Sequence, residues 1–224
     1  MWHEFNSNHE YIQAMVRDIS AALRQSIAAT DRAGLAVSGG RSPVPLFAAL
    51  SATALPWAKV HITLVDERYV APDHPDSNEH LVRTHLLKNL AAAATFTGLA
   101  GSGQHLDDCV AQANRQTGDI TLALLGMGED GHTASLFPDA PQLPQALDSD
   151  CADRYIKINP PNAPHERISM TLAALLQAEH IMFGIAGQKK RDVFQQASRH
   201  ATPAMPISYV IAQTGAPLNV YWHA

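Results

Sequence analysis

Apolar residues follow two alternating patterns along this chain, a helical spacing in some segments and short unbroken runs in others. Between about residues 8 and 29 apolar side chains recur every three or four positions, which predicts an amphipathic helix. The short runs have the length of buried strands, and turn residues separate them from the helical segments. They predict strands at Leu35–Val37, Val60–Val65, Thr95–Leu99, Ile120–Leu125, Tyr155–Ile158, His180–Ala186 and Leu218–Trp222. Further helices are predicted at Pro43–Leu50, after an N-cap at Ser77, at Leu106–Ala113, Leu172–Gln177 and Gln188–Ala197.

The repeated order of strand followed by helix predicts an α/β protein, because such crossovers lay successive strands parallel to one another. We expect a three-layer α/β/α architecture, in which helices flank both faces of a mostly parallel, Rossmann-like sheet. A chain of 224 residues can bury a full hydrophobic core, and residues 1–224 are expected to form one domain.

Composition places the chain among ordinary globular proteins, with 46% hydrophobic and 17% charged residues. The N-terminal residues lack a basic segment followed by an apolar one, and no apolar run approaches the roughly 20 residues that span a bilayer. The cysteines, Cys109 and Cys151, lack C-x-x-C spacing and are expected to be reduced. These features favour a cytoplasmic location without membrane association.

The formal net charge of -5 argues against a nucleic-acid surface, since the longest run of cations is Lys189–Arg191. A small anionic substrate stays compatible with this charge, because a few cations that converge in one cleft can capture an anion. The 12 histidines are scattered singly, without metal-binding spacing. No metal and no cofactor is expected, and we expect a monomer or a weak homo-oligomer.

Candidate chemistry is concentrated in the segment Gly126–Pro138, which follows a predicted apolar strand directly. Its glycines permit positive φ angles and close approach of a ligand to the main chain. Asp130 precedes His132 by two residues, a spacing that lets the carboxylate fix the imidazole tautomer while the ring exchanges a proton. The combination of glycines, carboxylates and histidine predicts a functional site with His132 and Asp130 at its centre.

The same segment also spells G-x-G-x-x-G, the fingerprint of a dinucleotide-binding turn. In that fingerprint the glycines open a helix whose N-terminus holds a pyrophosphate. Glu129 and Asp130 would place two negative charges beside the phosphates, and this interpretation is therefore rejected.

Two further loops follow predicted strands, at the sheet edge where α/β proteins bind ligands. In the loop Ser38, Gly39, Gly40, Arg41, Ser42, the glycines can turn amides toward an anion at the start of the next helix. In Asp66–Glu67–Arg68, an internal salt bridge and a substrate role are both open. Two later cations are candidates for a phosphate: Arg167 offers a planar fork, and Lys189 stands at a helix N-terminus.

Together these segments resemble the 6-phosphogluconolactonase family, within the broader glucosamine-6-phosphate deaminase-like fold. The resemblance extends from Leu35 to about Val193. Its specific part is the long motif from Gly126 through Gly128, Asp130 and His132 to Pro138. The supporting parts are Ser38–Pro43, Asp66–Arg68, Arg167–Thr171 and Gly187–Lys189. Arg41 stands where relatives often have a small hydroxyl residue, a departure that leaves the backbone amides of the loop unaffected.

The resemblance implies hydrolysis of 6-phospho-D-glucono-1,5-lactone to 6-phospho-D-gluconate in the oxidative pentose phosphate pathway, without metal or cofactor. It implies that His132 activates water and then protonates the departing ring oxygen, while Asp130 orients the ring. Such a proton shuttle is worth roughly 10²- to 10⁴-fold in rate. The further substrate-binding residues implied are Ser38, Gly39, Gly40, Arg41, Ser42, Arg167 and Lys189 for the phosphate, and Asp66, Arg68, Gly126 and Gly128 for the rest of the pocket.

Three rival functions fit the sequence less well. A glucosamine-6-phosphate deaminase-like enzyme shares the fold, but such enzymes tend to have tyrosine where Arg68 stands and Phe-Asn-Glu-Pro in place of Ser135–Pro138. A sugar-phosphate sensor of a transcriptional regulator needs a DNA-binding module, and the roughly 34 residues before the first predicted strand hold one helix. A serine hydrolase needs a G-x-S-x-G elbow, which the sequence lacks.

Overall fold

The computed structural model describes residues 1–116 and 118–224, and within them ten strands and eight α-helices. The strands are β1 (Trp2–Phe5), β2 (Ala33–Val37), β3 (Val60–Leu64), β4 (Asp66–Arg68), β5 (Thr95–Thr97), β6 (Leu122–Leu125), β7 (Tyr155–Ile158), β8 (Arg167–Met170), β9 (His180–Ala186) and β10 (Leu218–His223). The helices are α1 (Asn8–Thr30), α2 (Val44–Ser51), α3 (Asn78–His85), α4 (Leu106–Gln116), α5 (Leu143–Ala146), α6 (Leu172–Leu176), α7 (Gln188–Ala197) and α8 (Ile207–Ala212).

Seven strands form a sheet in the order β1-β10-β9-β6-β2-β3-β5, and every neighbouring pair is parallel. After β2 the chain moves outward to β3 and β5, whereas after β6 it moves the opposite way to β9 and β10. The direction of winding therefore reverses between β2 and β6, and the carboxyl ends of these two strands border a crevice. The predicted α/β fold with a parallel sheet between helices is confirmed.

Helix α1 packs across the sheet and contacts β2, β6 and β10. It begins after Ser7, whose hydroxyl accepts a hydrogen bond from the amide of Glu10 and so satisfies a free helical N–H group. Its apolar stripe of Met15, Ile19 and Leu23 is completely buried against the sheet. Among the helices of the described residues, α1 included, none combines the length and the apolar character needed to cross a membrane.

A second, antiparallel sheet of three strands has the order β4-β8-β7. Val65 links it to the main sheet: its amide donates to the carbonyl of Val37 at 2.9 Å, and its carbonyl accepts from the amide of Met170 at 2.9 Å. The predicted loop after β3 is wrong in its first residues, because Asp66–Arg68 pair with β8. Strand β7 has the predicted bounds, but it lies in this antiparallel sheet and not in the parallel one.

Short elements account for the other differences from the prediction. Strand β1 is not predicted, because its four residues at the edge of the sheet are all at least partly exposed and are too few for a period to be recognised. Strand β8 and helix α8 were missed for the same reason of length. Ser77 is the N-cap of α3, as predicted, and accepts from the amide of His80. Strand β9 and helix α7 have the predicted bounds.

Candidate functional site

A pocket of about 220 Å³ opens at the carboxyl ends of β2 and β6, at the point where the winding reverses. The loop after β2, the segment after β6, helix α1 and strand β4 surround it. Its polar side chains are Tyr11, Ser38, Ser42, Asp66, Arg68, Asn78, His132 and Lys190.

His132 and Asp130 form a hydrogen-bonded pair, as the sequence predicts. The ring Nδ1 lies 2.6 Å from Asp130 Oδ1, and the same oxygen accepts the backbone amide of His132 at 3.1 Å. Partial burial of Asp130 opposes its ionisation, but these hydrogen bonds outweigh burial and lower the pKa of the carboxyl. A carboxylate at Nδ1 places the proton there and leaves Nε2 as the basic nitrogen. Nε2 has no hydrogen-bond partner among the described residues, and the side chain lines the pocket.

Position 128 must be glycine because a side chain there would collide with His132 and Asp130, not because of a turn conformation. A Cβ on Gly128 would lie 2.3 Å from Nδ1 of His132 and 2.4 Å from Oδ1 of Asp130. Such distances are far below van der Waals contact, so a larger residue would drive the pair apart. On its other side the imidazole packs against Phe137, with ring centroids 4.4 Å apart. His132 is thus held from both sides, with one nitrogen free.

The glycine loop after β2 is held in place at its first two residues. The amide of Ser38 donates to the carbonyl of Leu124 on β6 at 3.0 Å. Gly39 lies against Asn78, because a Cβ at this position would be 1.8 Å from Asn78 Oδ1. Gly40 has a φ of 90°, a conformation that favours glycine. Ser38, Gly39, Gly40 and Ser42 line the pocket, whereas Arg41 is exposed outside it.

The three charged residues of strand β4 make different contacts. Asp66 is buried and accepts a hydrogen bond from the Ser135 hydroxyl at 2.6 Å. Arg68 lines the pocket and donates to the carbonyl of Asp76 at 2.6 Å. No ion pair joins Asp66, Glu67 and Arg68 to one another in the described part of the chain, so the salt-bridge hypothesis is not supported.

Glu67 points away from the pocket and holds the start of α3. Its two carboxylate oxygens accept hydrogen bonds from the amides of Arg68, Asn78 and Glu79 and from the hydroxyl of Ser77, at 2.7 to 3.0 Å. Burial raises the pKa of this carboxyl, although the four donors act in the opposite direction. Glu67 therefore ties β4 to α3 and fixes the position from which Asp66 and Arg68 reach the pocket.

Arg167 is a buried cation with incomplete hydrogen bonding among the described residues. The residue is 5% exposed, and Nε and Nη1 make no hydrogen bond within residues 1–116 and 118–224. Loss of hydration lowers the pKa of the guanidinium, and the neighbouring Arg68 lowers it further, partly offset by Asp66. Its Cζ lies 5.9 Å from the ring of Phe137, which separates it from His132. These nitrogens can still donate hydrogen bonds, and their positive charge suits an anionic acceptor.

The two lysines at the start of α7 have different surroundings. Lys189, which the sequence predicts to hold phosphate, is exposed and forms an ion pair with Glu129 outside the pocket lining. Lys190 lines the pocket and is half-buried; loss of hydration lowers its pKa, opposed by Glu129. Sequence reasoning missed Lys190, Asn78 and Tyr11. Helical phase could have separated the lysines, because neighbouring residues point about 100° apart on a helix.

No group of three or more His, Cys, Asp or Glu side chains in the described part of the chain is arranged to hold a metal ion. The carboxylates around the pocket are instead engaged by hydroxyl, amide and imidazole groups, as Asp66 and Asp130 illustrate. The chemistry that this pocket offers is therefore an imidazole base facing a set of cations and backbone amides.

Comparison with known proteins places these features in one family. Residues 6–222 match the family described as glucosamine-6-phosphate isomerases/6-phosphogluconolactonase. A 6-phosphogluconolactonase of Neisseria meningitidis serogroup B is 40% identical over 99% of this chain and 98% of its own, and one of Pseudomonas putida is 38% identical over 98% and 91%. The crystal structure of a 6-phosphogluconolactonase from Shewanella baltica is 36% identical, covers 100% of this chain and 97% of its own, and superposes with a TM-score of 0.94. The chain belongs to the glucosamine-6-phosphate isomerase/6-phosphogluconolactonase family.

Proposed function

We propose that this protein hydrolyses 6-phospho-D-glucono-1,5-lactone to 6-phospho-D-gluconate, a step of the oxidative pentose phosphate pathway. Relatives at 36% to 40% identity over nearly the full chain are named for this activity. The observation that carries the proposal in this chain is the free Nε2 of His132, which faces a pocket while Asp130 holds Nδ1 at 2.6 Å.

His132 acts first as the general base. Nε2 accepts a proton from a water molecule as its oxygen attacks the lactone carbonyl, and a tetrahedral oxyanion forms. The bond between the carbonyl carbon and the ring oxygen then breaks, and the imidazolium returns its proton to that oxygen. Asp130 stabilises the imidazolium between these two steps, as a carboxylate at Nδ1 does in other hydrolases. Proton transfer of this kind contributes roughly 10²- to 10⁴-fold to the rate.

The other residues that line the pocket orient the substrate, together with Arg167, which is outside the lining and opposite Arg68 on the neighbouring strand. Lys190, Arg167 and the loop Ser38–Ser42 supply the positive charge and the amide donors for the phosphate. Asp66, Arg68 and Asn78 lie on the side of β4 and contact the sugar. Binding energy from the phosphate is then used to hold the carbonyl beside Nε2, since distant contacts accelerate a reaction by positioning the reacting atoms.

A deaminase-like reaction on the same fold is the alternative. An aldose–ketose isomerisation that moves protons between neighbouring carbons is helped by a second acid–base group near the histidine. The position beside His132 is occupied by the aromatic ring of Phe137, and among the described residues Asp130 is the carboxylate that contacts the imidazole. A site with one acid–base group suits ester hydrolysis better.

One assay tests the proposal. The lactone is generated in situ from glucose 6-phosphate, and its disappearance is followed against the spontaneous rate, with glucosamine 6-phosphate as the competing substrate. Hydrolysis well above the spontaneous rate, with no release of ammonia, is expected. Release of ammonia without lactone hydrolysis would assign the chain to the deaminase branch of the family.

We place the reaction in the cytoplasm and assign it no nucleic-acid partner. Support comes from the two cysteines, which are free thiols, one of them buried. The net charge of -5 likewise disfavours a polyanion as partner. A monomer or weak homo-oligomer is proposed, because one chain supplies both His132 and Lys190 to the pocket.

A further inference from the structure

The hydroxyl of Tyr11 has no hydrogen bond in the described part of the chain, although the residue is only 9% exposed. The oxygen is not one of the fully buried polar atoms that lack a partner in the described residues, so it stays accessible and can pair with a group that enters the pocket. Tyr11 lies in the first turn of α1 and lines the substrate pocket. Its remaining accessible surface therefore faces the pocket interior.

Packing fixes the position of this hydroxyl. The tyrosine ring contacts His223, with centroids 4.7 Å apart, and Phe5, with centroids 6.3 Å apart. The oxygen lies against the bare main chain of β9, because a Cβ on Gly184 would come within 2.5 Å of it. Gly184 thus makes the room that the hydroxyl occupies at the floor of the pocket.

The residues around the hydroxyl indicate which part of the substrate it contacts. The pocket that Tyr11 lines also includes Leu46, Lys190 and the loop after β2, and Met15 lies against Gly184 as the hydroxyl does. Lys190 is a cation and the loop supplies amide donors, a combination that suits an anion. Burial raises the pKa of Tyr11 to about 12, so the phenol keeps its proton and can donate.

We propose that the hydroxyl of Tyr11 donates a hydrogen bond to the phosphate of the substrate, beside Lys190, and helps to select phosphorylated from unphosphorylated lactones. The inference rests on the proposed function for the identity of the substrate. It adds a neutral donor from α1 to a phosphate site otherwise built from cations and backbone amides.

The substitution Tyr11→Phe tests this, because it removes one oxygen and keeps the ring contacts. Affinities for inorganic phosphate and for 6-phosphogluconate are measured by calorimetry and by phosphorus NMR titration. A hydrogen bond to a charged group predicts a loss of about tenfold or more for both anions. The matched control is Tyr221→Phe, which removes the hydroxyl that donates to Asp18 at 2.7 Å outside the pocket.

Gly184→Ala provides an independent test, because the new methyl group would displace the Tyr11 hydroxyl. It is expected to weaken phosphate binding in the wild type and to have little further effect in the Tyr11→Phe background. Unchanged phosphate affinity in Tyr11→Phe, or additive effects in the double variant, would overturn the inference. A wild-type protein that binds 6-phosphogluconate in a Tyr11-dependent way but does not hydrolyse the lactone would overturn the proposed function alone.

Discussion

Arg68 and Arg167 lie directly opposite each other across the antiparallel pair of β4 and β8. Like charges at such positions repel, and in this case the Arg167 guanidinium is also buried without a partner for two of its nitrogens. Arg68 is partly relieved by the carbonyl of Asp76, to which it donates. The fold thus maintains a buried positive charge that nearby carboxylates such as Asp66 offset only in part, at a cost to its own stability that an anionic substrate can recover.

The first prediction is that Arg167→Met separates binding from stability. Removing a buried, unpaired cation should leave the free energy of unfolding unchanged or raise it by about 1 kcal/mol, because methionine fills a similar volume without a desolvation cost. Affinity for 6-phosphogluconate should fall about tenfold to a hundredfold. Urea unfolding and calorimetry measure the two quantities. Arg32→Met, at an exposed ion pair with Asp119, is the control, and a destabilised Arg167→Met variant with unchanged affinity would refute the anion site.

The second prediction distinguishes the two lysines of α7. Lys190→Ala is expected to lower kcat/KM about tenfold to a hundredfold, and Lys189→Ala by a much smaller factor, because Lys189 is exposed and paired with Glu129. The reverse order would restore Lys189 as the phosphate ligand that the sequence motif predicts.

The pH dependence of binding provides a separate test of Lys190. Burial lowers the pKa of Lys190 below its usual value of 10.5, and a bound phosphate favours its charged form. Affinity for 6-phosphogluconate should therefore fall as the pH rises through this lowered pKa. In Lys190→Arg the guanidinium stays charged, so the affinity for 6-phosphogluconate should not fall over that pH range. An identical pH profile in both proteins would exclude Lys190 from the anion site.

Much of the fold could be predicted from the sequence, because its long elements carry clear periods. Strand β9 and helix α7 are examples, with the predicted bounds at both ends. The antiparallel sheet could not be predicted, since β4 has three residues and its pairing with β8 joins positions about 100 residues apart. A period of two cannot be recognised in three residues.

The site shows a similar division. The pair of His132 and Asp130 could be predicted because both residues stand in one loop, two positions apart. Tyr11 and Asn78 could not, because α1 and α3 reach the pocket only through tertiary packing. The sequence predicts that Gly128 binds substrate, and the structure adds that its lack of a Cβ makes room for His132 and Asp130. All the substrate contacts that the sequence predicts, those of Arg41, Gly126 and Lys189 included, stay predictions.

The third mutational prediction concerns His132 and Asp130. His132→Ala should lower kcat about 10²- to 10⁴-fold with little change in the free energy of unfolding, because the ring is part of a loop and not of the core. Asp130→Asn should lose less. Gly128→Ala should also reduce kcat strongly, since its Cβ would lie 2.3 Å from the imidazole. Single-turnover rates measure all three. A His132→Ala rate within about twofold of wild type would contradict the mechanism.

The fourth prediction is that Glu67→Gln destabilises the fold more than it impairs chemistry. An amide nitrogen would replace one of the carboxylate oxygens that accept from Ser77, Asn78 and Glu79, and two donors would then face each other. A loss of about 1–3 kcal/mol is expected from urea unfolding.

The pH dependence of stability provides the check on Glu67. Its pKa is raised in the folded state, so the folded protein binds the proton more tightly than the unfolded chain does. The contribution of this group to stability is fully present below the unfolded pKa, near 4.5, and is lost as the pH rises through the raised value. Glu67→Gln should lack this component. Equal pH slopes for the two proteins would show that Glu67 does not titrate differently on folding.

The last prediction compares two glycines that line the same pocket. At Gly39 a Cβ would lie 1.8 Å from Asn78 Oδ1, and Asn78 cannot yield easily, because it is 2% exposed and donates to the carbonyl of Asp66 at 2.8 Å. Gly39→Ala should therefore lower stability by about 1–3 kcal/mol and shift Asp66 as well.

At Gly126, by contrast, a Cβ would meet no atom within 4 Å. Gly126→Ala should keep or slightly raise stability by restricting the unfolded chain, yet raise KM, because its methyl group takes space from the substrate. Thermal unfolding and initial rates on both variants separate the effects, and the second substitution Asn78→Ala should restore stability to Gly39→Ala if the clash is its cause. Equal destabilisation at the two glycines would mean that the loop after β2 does not pack against Asn78.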